Sequence, residues 1–305
     1  MKTIITLDTP FNFKHTLDYF SRSDKELVDL SRENLYYRVL DIKGKPALAI
    51  VKSVGPVSKP SLEINVPGCR SARTMREAER IIKRIFSTTK DIRTFYLKVS
   101  GDEALSRLSK ANYGFKPPVT PSLYEALVWA ITGQQMNLSF IYSLKARLVM
   151  KYGPKCHYNG RRFYGFPSCH DLSSATYNEL RGMQYSGRKA EYIKGLTKIM
   201  VNENIDVEEL NQMEDEQAIE KLMKIKGVGR WTAEYTLLRG MGRWSVIPAD
   251  DIGIRNAVTL FYKYKKQVSA KEVRKRAREW GEYKGCAAFY LLFAYQRNKN
   301  KGIAR

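Results

Sequence analysis

Short apolar runs broken by turn residues mark the chain as far as Ser100. Lys2 to Leu7, Leu35 to Ile42, Ala47 to Lys52, Leu62 to Val66 and Phe95 to Val99 each predict a strand. Lys43-Gly-Lys-Pro46 between two of these runs is a hairpin signal, and Phe13 to Ser21 reads as a short helix. Thr74-Met-Arg-Glu77 predicts a capping box, with Met75, Ala78, Ile82 and Ile85 on one helical face. Beyond Ser100 the helical period takes over. Ser122-Leu-Tyr-Glu125 predicts a second capping box, with Leu123, Leu127 and Ile131 on one face. Leu138 to Tyr152, Ala190 to Asn202, Glu216 to Lys224 and Ala287 to Tyr295 are further helices, and Ser269-Ala-Lys-Glu272 caps another. Pro117 to Pro121 and Gly153 to Pro167 read as irregular connections, and Asn298 to Arg305 as a fraying basic tail. The fold class is α+β, mainly α. It divides into a mixed α/β N-terminal domain, 1–103, and a helical core, 104–305.

Charge narrows the partners. Among 305 residues, 53 Lys and Arg face 31 Asp and Glu, for a net charge of +22 and a pI near 9.8. Such an excess favours a polyanion. The densest basic group is Lys263, Lys265, Lys266, Lys271, Arg274, Lys275 and Arg276. No apolar run approaches a membrane span, and Met1 to Asp8 has no secretory character, so a cytoplasmic, nucleoid-associated location is expected. Cys69, Cys156, Cys169 and Cys286 follow neither a disulfide framework nor an iron–sulfur spacing. Cys156-His157 and Cys169-His170 match no common zinc signature either.

Candidate chemistry concentrates in two stretches, Leu222 to Tyr235 and Ile247 to Arg255. In the first, a helix ends near Lys224, Gly227-Val-Gly229 makes a tight turn, and a second helix opens at Arg230. The free N–H groups of that opening, with those of the glycine turn, form a phosphate-binding terminus that grips DNA without reading sequence. In the second, Asp250 and Asp251 precede a helix. One of the two is expected to serve as its N-cap. A carboxylate beside a phosphate-binding turn repels the backbone, so a further purpose is expected of it. Breaking an N-glycosidic bond supplies one, because a fixed anion stabilises the positive charge that develops on the sugar.

Lys226-Gly-Val-Gly-Arg-Trp-Thr-Ala233 and Pro248-Ala-Asp-Asp-Ile-Gly-Ile-Arg255 together resemble the helix-hairpin-helix/Gly-Pro-Asp superfamily of DNA glycosylases, and within it the 3-methyladenine DNA glycosylase II (AlkA) type. Pro121 to Gln135 resembles the helix that opens that family's catalytic core, and Gly187 to Ile193 another of its segments. The N-terminal region resembles the family's extra domain, similar to half of a TATA-binding protein. The resemblance implies a core of two subdomains with the active-site cleft between them. It places the catalytic aspartate on Asp251 and base-pocket aromatics on Trp231 and Tyr235. DNA contacts fall on Gly227, Gly229, Lys226, Arg230 and Thr232. Gln135 falls where a side chain fills the gap left by a flipped base. The carbonyls of Met223, Ile225 and Val228 would hold a structural monovalent or divalent cation at the hairpin, while catalysis needs no cofactor. Family members with lyase activity use a lysine early in the second hairpin helix, where this chain has Trp231.

The resulting expectation is a monomeric, monofunctional, water-using glycosylase that flips alkylated bases of the 3-methyladenine and 7-methylguanine type out of duplex DNA. Such cationic bases stack on electron-rich rings and leave easily. Excision of deaminated or oxidised bases, such as hypoxanthine or 8-oxoguanine, is the alternative within the same chemistry. A noncatalytic DNA-binding protein is the alternative outside it.

Overall fold

Two-residue left-handed turns fold the N-terminal strands into a meander. The computed structural model describes residues 1–202 and 205–300. Strand β1 (Lys2–Thr6) and helix α1 (Phe13–Phe20) lead into β2 (Leu30–Arg32), β3 (Leu35–Ile42), β4 (Lys45–Ser53) and β5 (Ser61–Asn65). Glu33-Asn34 and Lys43-Gly44 all have positive φ, the geometry that suits tight hairpins to twisted strands. The antiparallel sheet runs β1-β5-β4-β3-β2.

Helices follow: α2 (Ala72–Ile85), α3 (Ile92–Lys98), α4 (Glu103–Ala111), α5 (Leu123–Gly133) and α6 (Leu138–Tyr152). A hairpin of β6 (Lys155–Tyr158) and β7 (Arg161–Tyr164) then precedes α7 (Cys169–Ser173), α8 (Tyr177–Gly182), α9 (Gly187–Val201), α10 (Val207–Gln212) and α11 (Asp215–Met223). The chain ends in α12 (Arg230–Gly240), α13 (Ile252–Phe261), α14 (Ala270–Ala277), a 3₁₀ segment at Arg278–Tyr283, and α15 (Lys284–Asn300).

Several expectations need correcting. Phe95 to Val99 is not a strand, because Asp91 caps a helix in which Ile92, Phe95 and Val99 bury one face at helical spacing. The short β2 is the edge opposite β1 instead. Ser71, not Thr74, caps α2, accepting from the Thr74 amide. Ser122 does cap α5, but the Glu125 carboxylate turns to Arg38 rather than back to the cap. Gly153 to Pro167 holds a hairpin whose turn is Asn159-Gly160, both left-handed. Its Phe163 stacks on Tyr37 at 5.3 Å, covering the second face of the sheet beside Val39 and Leu48. The basic tail is helical through Asn300, and residues 301–305 lie outside the described ones.

Two large apolar cores result. One unites Tyr36, Leu40, Val51 and Ile64 of the sheet with α2 and with Ile254, Val258, Trp280 and Phe293 near the C-terminus. The other joins helices of the middle of the chain through Leu127, Leu144, Ile193, Leu222 and Leu237. Arg38 crosses between sheet and helices, buried between Asp29 and Glu125 of α5. Helix α12 packs closely on α5 and α11 in the second core, whereas α13 packs on α15 in the first. The seam between α12 and α13 is where the candidate residues meet. No described helix is long and apolar enough to cross a membrane.

Candidate active site

The turn after α11 assigns different tasks to its two glycines. Ile225 and Val228 anchor it in the core, and the Val228 amide donates to the Ile225 carbonyl at 3.0 Å. Gly227 has φ +89°, and a Cβ there would lie 2.3 Å from Cγ of Tyr192. Both facts demand glycine for the fold itself. Gly229 has φ −87° and caps α12 without a side-chain hydrogen bond. A Cβ on it would meet no atom within 4 Å. The protein does not need that absence of a side chain, but a ligand approaching the amides of Gly229, Arg230, Trp231 and Thr232 would.

The next turn of α12 carries the aromatic pair. Trp231 and Tyr235 are half-buried, with ring centroids 5.6 Å apart and planes 34° from parallel. Gly133, ending α5, borders the indole, and a Cβ there would sit 3.8 Å from it, an ordinary van der Waals contact. The indole Nε1 donates to Oδ2 of Asp251 at 3.3 Å.

Asp251 is also the N-cap of α13. Its Oδ1 accepts from the amides of Gly253 at 2.8 Å and Ile254 at 3.1 Å. Cap and candidate catalyst are therefore one residue, divided by oxygen: Oδ1 fixes the group, while Oδ2 accepts the indole N–H and keeps its second lone pair on the aromatic side. Burial raises its pKa above 3.8, and the bonds from Ile254, Gly253 and Trp231 pull the other way. Asp250 is exposed and pairs with Arg274 at 2.9 Å.

The remaining expected residues separate. Lys226 pairs with Glu191 on the exposed surface at 2.5 Å. The Arg230 guanidinium is engaged by Glu216 at 2.6 Å and Glu234 at 3.1 Å. Thr232 is buried, and its hydroxyl accepts from Gln134 at 3.0 Å, so its side chain is spent inside the protein. Gln134 also donates to the Gly227 carbonyl at 2.8 Å, tying α5 to the hairpin. Gln135 is exposed with φ +54°, on a loop that also exposes Met136 and Leu138. Among the hairpin carbonyls, that of Ile225 already accepts one amide and retains a second lone pair. No group of three or more His, Cys, Asp or Glu residues among the described ones is arranged to hold a metal.

Sequence reasoning missed the wall supplied by α1 and its continuation. Arg22 lies over the Tyr19 ring at 3.7 Å, and Arg239 over the same ring at 5.1 Å. The Tyr235 phenol, its pKa raised by burial, lies in the field of both arginines. No local pattern announced this, because the partners are brought together only by tertiary packing. A cavity of about 450 Å³ lies elsewhere, past the C-terminal end of α13 beside Asp102, Tyr262 and Trp280.

A glycine hairpin opening a helix, an aromatic pair and a capped carboxylate therefore meet at the seam between α12 and α13. Residues 128–282 match the model of the HhH-GPD superfamily of base excision DNA repair proteins, and the chain belongs to that superfamily. It is 28% identical over 293 residues to a DNA-3-methyladenine glycosylase of Bacillus subtilis, covering 94% of this chain and 95% of the relative. It is 23% identical to DNA-3-methyladenine glycosylase 2 of Escherichia coli, covering 93% of this chain and 94% of the relative. The solved 3-methyladenine DNA-glycosylase of Archaeoglobus fulgidus superposes with a TM-score of 0.84 and 29% identity, covering 97% of this chain and 98% of that one.

Proposed function

We propose that this protein is a monofunctional DNA glycosylase that releases alkylated bases, of the 3-methyladenine and 7-methylguanine type, from duplex DNA. The observation that carries the reading is the division of the Asp251 carboxylate, one oxygen spent on capping and the other turned to Trp231. Hairpin amides from Gly229 onward grip the backbone, and the damaged nucleotide swings out toward Trp231 and Tyr235. As the C1′–N bond breaks, its electron pair passes to the base and neutralises a cationic leaving group. The sugar acquires positive charge beside Oδ2 of Asp251, which stabilises it and orients water. The water oxygen bonds to C1′, and its proton passes to the carboxylate or to solvent. A cation held by the Met223, Ile225 and Val228 carbonyls would add positive charge to the phosphate grip, and none of these steps passes through it.

Lyase activity needs an amine at the sugar, and Trp231 occupies the helix position that would supply one. Lys226 is drawn away to Glu191. The test is a base-release panel over alkylated, deaminated and oxidised duplexes, with borohydride added to trap a Schiff base. Release of methylated bases with no trapped adduct is expected. An adduct overturns the monofunctional reading, and no release from any lesion leaves a DNA-binding module.

A further inference from the structure

Asp250 looks dispensable next to Asp251, yet it is held. Arg274 of α14 donates from Nη2 to Asp250 Oδ2 at 2.9 Å. The same guanidinium embraces Glu234 of α12 with two bonds, Nη1 to Oε1 at 2.7 Å and Nη2 to Oε2 at 3.1 Å. The Glu234 side chain is only 2% exposed, and Arg230 is its other cation, at 3.1 Å. Burial raises the Glu234 pKa, with Arg274 and Arg230 opposing that shift. A buried carboxylate is costly without such partners, so Arg274 is fixed in place by α12.

The consequence is geometric. Glu234 lies between Trp231 and Tyr235 along α12, and Asp250 is joined by one peptide bond to Asp251. One planar guanidinium therefore spans the helix that presents the aromatic pair and the loop that presents the carboxylate. Across the seam the direct link between those two elements is the 3.3 Å contact of Trp231 with Asp251, which is long for a hydrogen bond. Arginine suits this task because its fork binds one carboxylate with two N–H groups and still reaches a second, whereas lysine offers a single point charge.

We infer that Arg274 is a positioning residue, clamping Asp250 to Glu234 so that the Asp251 carboxylate is held against the sugar of a nucleotide stacked at Trp231. It touches neither base nor sugar. Asp250 is its handle on the catalytic loop. This inference rests on the catalytic reading of Asp251 proposed above.

The experiment measures single-turnover release of 7-methylguanine from methylated duplex by saturating enzyme, together with affinity for the same duplex. Variants are Asp250→Ala, Arg274→Gln, Arg274→Lys and the Asp250→Ala/Arg274→Gln pair. Misplacement of a reacting group by about 1 Å costs up to about 10²-fold, which bounds the effect. Asp250→Ala is expected to slow release by about tenfold with affinity unchanged, as a group acting on the chemical step does. Arg274→Gln is expected to slow it at least as much, with partial rescue by Arg274→Lys, and the double variant to be no slower than Arg274→Gln. Wild-type release by Asp250→Ala, or independent multiplication of the two effects, overturns the clamp. Asp250→Ala decides the matter even if Arg274→Gln fails to fold, since Asp250 is exposed. An Asp251→Asn control separates the two levels. Wild-type release by that variant removes the catalytic reading itself, whereas its inactivity beside a fully active Asp250→Ala removes only the clamp.

Discussion

Alanine at Gly227 and at Gly229 should give opposite results, although the two glycines are two residues apart in one turn. At Gly227 the substitution forces a left-handed φ of +89° on a side chain and drives Cβ to 2.3 Å from the Tyr192 ring. The left-handed conformation costs about 1–2 kcal/mol, and overpacking against the half-buried Tyr192 ring about 1–3 kcal/mol. Gly227→Ala should therefore lose about 2–5 kcal/mol, a fall in melting midpoint of roughly 3–8 °C for a chain of 305 residues. At Gly229, φ is −87° and the added methyl meets nothing, so the stiffer unfolded chain offsets the poorer N-cap that alanine makes and stability should stay within about 1 kcal/mol of wild type. That methyl would stand where a phosphate approaches. Loss of one hydrogen bond to a charged group is worth about 1.5–3 kcal/mol, so DNA affinity should fall about tenfold or more. Thermal denaturation and fluorescence anisotropy with an undamaged duplex read the two quantities separately. Wild-type affinity in a stably folded Gly229→Ala protein would refute the hairpin as the phosphate grip.

Other consequences follow from the same geometry. The Asp251 carboxylate must be ionised to act, and burial raises its pKa, so release should fall with decreasing pH through a limb centred above 3.8. Trp231→Phe keeps the ring but removes a bond to the anion, so the limb should move to still higher pH; a limb at or below 3.8 in the wild type contradicts the assignment. A raised folded-state pKa also means that the ionised group destabilises the fold above that pKa, a penalty relieved as pH falls through it. Asn keeps the cap without the charge but sets an amide N–H against the Trp231 N–H, so the comparison belongs in a Trp231→Phe background, where Asp251→Asn should melt about 1–3 °C higher at neutral pH and a lower midpoint argues against a strained carboxylate. Arg38→Met leaves Asp29 and Glu125 buried without their shared cation and should cost about 3–5 kcal/mol in chemical denaturation; a change under about 1 kcal/mol would show that the bridge between sheet and α5 is dispensable.

Local signals carried much of this molecule. The hairpin at Lys43-Gly44, the Ser269 capping box and the helix opening at Arg230 are written in adjacent residues, and they form as read. Where reading failed, two local signals competed. Phe95 to Val99 has strand-forming composition, but Asp91 caps a helix whose buried face includes Ile92 and Phe95. The Asn159-Gly160 hairpin was hidden by flanking glycines and prolines, and its strands gain a partner only when Phe163 reaches Tyr37. At the site, sequence placed Asp251 and the aromatic pair near one another by resemblance. It could not divide the work of the two carboxylate oxygens, nor of the two glycines, because both depend on atoms from Tyr192, Gly253 and Trp231 converging in space. The roles of Arg22 and Glu234 were silent for the same reason, and Arg274 stood out only as one of a basic group. Their partners lie on other elements.

The central claim is that Asp251 performs the chemical step in a fold that otherwise grips DNA without it. Single-turnover release of 7-methylguanine by Asp251→Asn, at enzyme concentrations saturating the methylated duplex, tests this most directly. The substitution preserves the helix cap and the size of the side chain, and it exchanges the charged acceptor beside Trp231 for an uncharged amide N–H. We expect duplex affinity within about threefold of wild type, a difference of under about 1 kcal/mol, and release slowed by about 10²-fold or more, the scale of a lost electrostatic stabiliser. Release at the wild-type rate by a folded, DNA-binding Asp251→Asn protein would contradict the account.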